Sequence, residues 1–195
     1  MTDTYKTITE LVGNGFYSEK RSKFFAFAHH VETIDEIKDI LALYHKKYYD
    51  ARHICYAYVL GEDKANFRAV DDGEPSSTAG KPILGQIHSR DLTNVMVVVV
   101  RYYGGINLGT GGLVVAYRNA ASEALDNAVC ETRFIEEIIT YSFSYPMMNS
   151  VMHIIKEMQP KIISQTFDNT CSITMSVRKN LAAALRKKLD ELSFH

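Results

Sequence analysis

The sequence predicts an α+β protein built in two parts, and three observations carry that reading. Strand-like and helix-like periodicities alternate along the whole chain. Residues 95–100 (VMVVVV) are apolar at every position, the pattern of a central strand covered on both faces. All 11 glycines lie at or before Gly112, seven of them between Gly80 and Gly112, and the last 83 residues contain none. Glycine supplies tight turns and close backbone approach, so the two parts follow different rules. The 195 residues fit that division, exceeding one domain of about 150 and falling short of two.

The elements follow in order. Residues 16–18 and 23–31 read as two strands around the basic turn Lys20–Arg21. Thr33 as N-cap, with Glu36 completing a capping box, opens a helix over 33–49. Its Ile34, Ile37, Leu41, Tyr44 and Tyr48 recur at helical spacing. Residues 53–60 (HICYAYVL) form a strand closed by Gly61, with 67–71 as its hairpin partner. A looser helix, 76–88, is entered through DDGEPSSTAGKP. The strand 95–100 runs into RYYGGINLGTGG and then a helix over about 112–127, with Leu113, Tyr117, Ala120 and Ala124 on one face.

After Cys130 the pattern restarts: strand 136–145, helix 147–158, strands 161–167 and 171–177 around Asp168, Asn169 and Thr170, then helix 181–192. This β-α-β-β-α order is a ferredoxin-like arrangement without its sixth element, since no room is left for another strand before His195. The expected domains are 1–130 and 131–195.

Composition excludes several classes. Hydrophobic residues make up 46% and charged residues 23%, which rules out a mainly disordered chain, a collagen and a disulfide scaffold. No apolar run approaches the roughly 20 residues of a membrane-spanning helix. MTDTYKTITE lacks the basic and apolar regions of a secretory signal. Cys55, Cys130 and Cys171 form no CxxC pair, so neither a thiolate zinc site nor a disulfide staple is expected, and the chain reads as cytoplasmic. There are 22 Lys and Arg against 23 Asp and Glu, a net charge of −1. Split after Cys130, this is 14 against 16 (−2) and 8 against 7 (+1), so neither part projects a strong field toward nucleic acid.

The most informative segment is Arg101–Gly112, in which Gly104, Gly105, Gly109, Gly111 and Gly112 join a buried strand to a helix. Helix N-termini present unpaired N–H groups and partial positive charge, so glycines there admit an anion. A tight connection that needs glycine for space explains the segment equally well. It is not a dinucleotide fingerprint, because Val114 stands where the third glycine belongs, and Asp71–Gly85 is not a P-loop, because Pro82 replaces the hydroxyl residue. Asp71, Asp72 and Glu74 offer oxygen ligands to a divalent cation, although an Asp-Gly cluster is more often a turn. His53 and Cys55 share one strand face, yet a strand cysteine is usually core packing. His29 and His30 point to opposite faces. Lys20, Arg21 and Lys23 with Arg101, Tyr102 and Tyr103 compose a basic-aromatic set of the kind that grips phosphates and stacks bases. A second basic cluster, Arg178, Lys179, Arg186, Lys187 and Lys188, reads as a solvated face.

SKFFAFA, ARHICYAY, DDGEPSSTAGKPIL and VVVVRYYGGINLGTGGLVVAY, in that order, resemble the IMPACT/YigZ family, densely over the first 130 residues. The resemblance implies an N-terminal α/β domain like that of a small-subunit ribosomal protein and the fourth domain of elongation factor G. It also implies a small ferredoxin-like α+β domain similar to the fifth domain of that factor. Eukaryotic members regulate translation by opposing activation of a kinase that phosphorylates an initiation factor. They use a further N-terminal domain for this, so that role is not carried over; for bacterial members the family implies nucleic-acid or ribosome association. Two departures stand out. Val115 occupies the position of a usual arginine, with Arg118 three residues on, and Ser77 replaces a common glycine.

The expected function is therefore a non-enzymatic, translation-linked regulator that binds RNA, the ribosome or a translation factor, without catalytic residues, cofactor or metal. The candidate anion or nucleic-acid contacts are Lys81, Arg101, Tyr102, Tyr103, Gly104, Gly105, Gly109, Thr110, Gly111, Gly112 and Arg118. The alternative is a protein or enzyme that holds a phosphate-containing small ligand at the glycine-rich strand–helix loop.

Overall fold

The structure, a computed structural model, describes residues 3–168 and 170–192. These form two units, residues 5–133 and residues 134–192 together with 3–4. The elements through the first unit are β1 (Thr4–Ile8), β2 (Gly13–Glu19), β3 (Ser22–His30), α1 (Ile34–Lys47), β4 (His53–Leu60), β5 (Asn66–Val70), α2 (Gly80–Ser89), β6 (Val95–Tyr102), α3 (Gly109–Asp126) and β7 (Cys130–Phe134).

A five-stranded antiparallel sheet, ordered β2-β3-β6-β4-β5, is the centre of that unit. β6 lies in the middle, and residues 95–100 are 0% exposed, as the apolar run predicts. Alternate side chains leave on opposite faces. Val97 and Val99 join Ala26, Cys55, Ile83 and Ala120 beneath α2 and α3, while Val98 and Val100 join Ile37, Ile54 and Tyr58 beneath α1. Each buried valine contributes roughly 1.5–3 kcal/mol relative to exposure. α3 packs closely on β2: a Cβ added at Gly15 would meet Ala124 N at 2.4 Å and Ala120 O at 2.5 Å.

Local chemistry fixes the helix boundaries. Thr33 Oγ1 accepts the Glu36 N–H and the Glu36 carboxylate accepts the Thr33 N–H, completing the expected capping box. α2 begins at Gly80 rather than Ser76, because the Asp71 carboxylate accepts N–H bonds from Ser77, Ala79 and Gly80 and folds 71–79 into a loop. Ser77 has φ +64 there, a left-handed conformation that ordinarily favours glycine. α3 begins at Gly109, three residues before the expected start. β1 and β7 pair as a separate two-stranded sheet that the sequence reading leaves out. Neither TYKTI nor CETRF alternates strictly between apolar and polar residues, so neither gives a period-2 signal.

In the second unit β8 (Glu136–Phe143) leads through a 3₁₀ turn, Tyr145–Met147, into α4 (Met148–Met158). β9 (Lys161–Phe167), β10 (Cys171–Arg178) and α5 (Lys179–Leu192) follow, giving the expected β-α-β-β-α order. The antiparallel sheet is ordered β8-β10-β9. Asn169 of the expected turn and residues 193–195 lie outside the described residues. Ile139, Phe143, Ile173 and Met175 on one sheet face form a core with Val151, Ile155, Leu185 and Leu189. The alternate residues of β8 and β10, including Thr140, Ser142, Ser172, Thr174 and Ser176, leave on the other face. Among the described residues no helix is long and apolar enough to cross a membrane.

Candidate functional site

A lone arginine at the end of a wholly apolar strand needs a buried counter-charge. Arg101, between Phe24 of β3 and His53 of β4, lies on the α2/α3 face and is only 5% exposed. Its Nη1 donates to Glu74 Oε1 at 2.5 Å, and the Tyr117 hydroxyl of α3 donates to the same oxygen at 2.7 Å. Among the described residues the buried Arg101 Nε has no hydrogen-bond partner, while its guanidinium lies over the Phe24 and Tyr103 rings, each centroid 5.6 Å away. Burial, with the nearby Cys55 and Glu74, drives the Tyr117 hydroxyl pKa far upward, so it acts as a donor.

The acidic loop supplies Glu74 and uses up its own carboxylates. Asp71 caps α2 as described, Asp72 Oδ2 accepts the Ile54 N–H at 2.7 Å, and Glu74 holds Arg101 and Tyr117. The turn reading describes Asp71 and Asp72, whereas Glu74 is not a solvated turn residue but is buried against Arg101. His53 Nδ1 donates to the Asp72 carbonyl at 2.7 Å, and its Nε2 lies 3.7 Å from Glu74 Oε2. The buried Cys55 thiol lies 3.0 Å from the Asp71 carbonyl and 3.3 Å from the Tyr117 hydroxyl. Desolvation pushes its pKa well up, leaving a protonated, unreactive thiol rather than half of a Cys–His pair. A thiol reagent applied to the native protein is expected to modify exposed Cys130 and spare buried Cys55 and Cys171, all three reacting after denaturation. Peptide mapping checks this, and native labelling of Cys55 would contradict the buried network.

On the opposite face of the same strands a basic-aromatic set does converge. Lys23 of β3 pairs with Tyr102 of β6, and Arg21, Lys23, Phe25, Tyr102 and Tyr103 line a cavity of about 400 Å³. Phe16 and Phe25 lie 5.1 Å apart and Phe25 meets Tyr102 edge-on at 6.1 Å, extending an aromatic row across β2, β3 and β6. The Tyr102 hydroxyl donates to Asp50 at 2.9 Å, and burial followed by that carboxylate pushes its pKa up to about 12. Tyr103 is 47% exposed, its hydroxyl donating to Asn107 at 3.2 Å. The sequence reading grouped Arg101 with these rings as a direct contact; the strand's two-residue period sends its side chain to the face opposite Tyr102, and it meets only Tyr103, over whose ring it lies. Phe25 and Phe16 were missed, although the alternation in SKFFAFA places Phe25 and Phe27 on one face.

The turn bearing the cations is unusual. Lys20 and Arg21 have φ +46 and +66, the two left-handed residues of a tight hairpin that normally favours Asn-Gly. Gly104 seats that turn, since a Cβ there would lie 2.1 Å from the Arg21 carbonyl carbon, and its N–H donates to Ser22 Oγ at 3.2 Å. Gly105 and Gly109 have φ +85 and +73. Gly109, Thr110 and Gly111 are exposed at the start of α3, where Leu108 provides no side-chain cap and the first turn holds no acid. Lys81, the second residue of α2, and Arg118 are exposed outside the cavity lining, as is Val115. Arg118 follows Val115 by three residues on α3 and so lies near the same side of that helix.

Comparison with known proteins completes the description. Residues 20–125 match the family model described as the Impact N-terminal domain. An IMPACT family member of Haemophilus influenzae is 34% identical over 176 residues, covering 89% of this chain and 85% of that protein. The Escherichia coli IMPACT family member YigZ is 31% identical over 176 residues, covering 89% and 86%. A crystal structure of a hypothetical protein matches with a TM-score of 0.79 at 28% identity, covering 99% of this chain and 94% of that one. With the family's segments folded into one sheet and its two flanking loops, the chain belongs to the IMPACT family.

Proposed function

We propose that this protein is a non-enzymatic, cytoplasmic regulator linked to translation, acting by binding RNA, including ribosomal RNA, through residues 1–130. The observation that carries the reading is the convergence of Arg21, Lys23, Tyr102 and Tyr103 on one cavity, cations beside rings where the interior strands β3 and β6 meet their loops. Domains similar to the fourth and fifth of elongation factor G, a resemblance proposed for the two parts, suit such a role. In the second part, the strand residues facing away from the core are mainly hydroxylic, with Thr140, Ser142, Thr174 and Ser176 among them, and offer no ring for a base. Exposed Gly111, Thr110, Arg118 and Lys81 are the proposed outer phosphate contacts.

Filter binding of RNA and co-sedimentation with ribosomal particles test the proposal. Retention is expected at low salt, and with about three phosphate contacts on a single strand the log–log salt slope should be roughly −2. No retention even at low salt would sink it. A second reading, a phosphorylated small ligand at the α3 N-terminus, is favoured by the absence of a side-chain cap and of first-turn acids there. It predicts stabilisation by one member of a nucleotide and sugar-phosphate panel, and a panel without any shift removes it.

A further inference from the structure

We infer that the cavity beside Tyr103 takes the base of one unpaired nucleotide, so that the protein selects single strands over duplexes. The inference rests on the RNA reading above and deepens it. Its volume of about 400 Å³ lies at the small end of ligand cavities, which run from about 300 to 1,000 Å³, and suits one nucleotide at a time.

The two tyrosines are held before any ligand arrives. Tyr102 is tied to Asp50 through its hydroxyl and packed edge-on against Phe25. Tyr103 is tied to Asn107, and the Arg101 guanidinium lies over its ring. Because Arg101 is committed to Glu74, it serves as a support for Tyr103 rather than as a phosphate contact. A ring fixed in this way stacks a base with little ordering cost. Rings contribute little to a surface that reads only phosphates, whereas exposed bases exist only in unpaired strands.

Charge around the cavity fits a threaded backbone. Arg21 and Lys23 line it, Lys20 shares the hairpin turn, and Arg52 precedes β4 with its N–H on the Arg101 carbonyl. The neighbouring acids are engaged: Asp50 accepts the Tyr102 hydroxyl and Glu19 the Tyr17 hydroxyl.

Fluorescence anisotropy at low salt, with the full chain and three labelled RNAs of about ten nucleotides, tests this: an oligouridine strand, the same strand with abasic residues, and a blunt duplex. The oligouridine should bind at least about fivefold more tightly than the other two, and Tyr103→Ala should weaken it about 5- to 150-fold while leaving the abasic strand unchanged. Tyr103→Phe keeps the ring but releases it from Asn107, and should weaken oligouridine binding far less than Tyr103→Ala. Equal binding of all three RNAs, lowered equally by Arg21→Ala, would overturn base stacking and leave the RNA reading intact. Binding of none of the three would overturn both.

Discussion

Replacing Glu74 with alanine is expected to destabilise the N-terminal unit by about 3–5 kcal/mol. The substitution leaves the Arg101 charge buried with no counter-ion, and it also strips the Tyr117 hydroxyl of its acceptor. In a unit of this size that corresponds to a melting temperature lower by roughly 10–20 °C. Arg101→Glu should be at least as damaging, since it sets a second carboxylate against Glu74. Its loss of RNA binding would then report unfolding rather than a missing phosphate contact. The informative partner is the triple substitution Glu74→Leu, Arg101→Met, Tyr117→Phe, which removes all three polar ends together. Well-packed apolar replacements of buried ion pairs are often neutral or stabilising, so most of the loss should be recovered. Urea denaturation followed by circular dichroism gives the comparison, and a Glu74→Ala protein within about 1 kcal/mol of the parent would contradict the buried pair.

Gly104→Ala is expected to damage stability together with the proposed RNA binding. The new Cβ would lie 2.1 Å from the Arg21 carbonyl carbon, 2.3 Å from Ser22 N and 2.5 Å from Arg21 O. All three are backbone atoms, so no side chain can swing aside, and the hairpin must move away from the β6–α3 loop. Overpacking of this kind costs about 1–3 kcal/mol or more. It would also carry Arg21 and Lys23 away from Tyr102 and Tyr103, which face them across that contact. Gly85→Ala is the control: nothing lies within 4 Å of its added Cβ, and its backbone lies within α2. Alanine there should stabilise α2 by up to about 1 kcal/mol and leave RNA titrations at the parental level. Thermal melts beside RNA titrations separate the two variants, and a Gly104→Ala protein with parental melting and binding would refute the close approach.

Much of the architecture was legible because it depends on local patterns. Thr33 and Glu36 specify a capping box within four residues, and residues 95–100 specify a strand that must be covered twice. The candidate site was legible as composition and only partly as arrangement. Lys23 and Tyr102 are 79 positions apart in sequence (102 minus 23), yet adjacent strands make them neighbours. Arg101 and Tyr102 are adjacent in sequence and part to opposite faces. Glu74 was weighed as a turn residue or cation ligand; its pairing with Arg101 depends on Asp71 folding the loop back over the sheet, a contact between residues 27 positions apart. The signal that could have found it was the unexplained charge ending an apolar strand. The limits of α2 were misjudged because a side chain nine residues upstream of Gly80, not a local N-cap, satisfies its first N–H groups.

The Lys20–Arg21 turn carries one more consequence, for anyone seeking to harden this protein against heat. Each left-handed non-glycine residue costs on the order of 1 kcal/mol, and Asn-Gly is the standard remedy for such a hairpin. That exchange would raise the melting point and erase two of the cations beside the cavity in a single step. A screen for thermal tolerance alone would therefore drift toward a sturdier molecule that had lost charges on which the proposed RNA binding depends. Only selection on both properties would keep the uncomfortable turn in place.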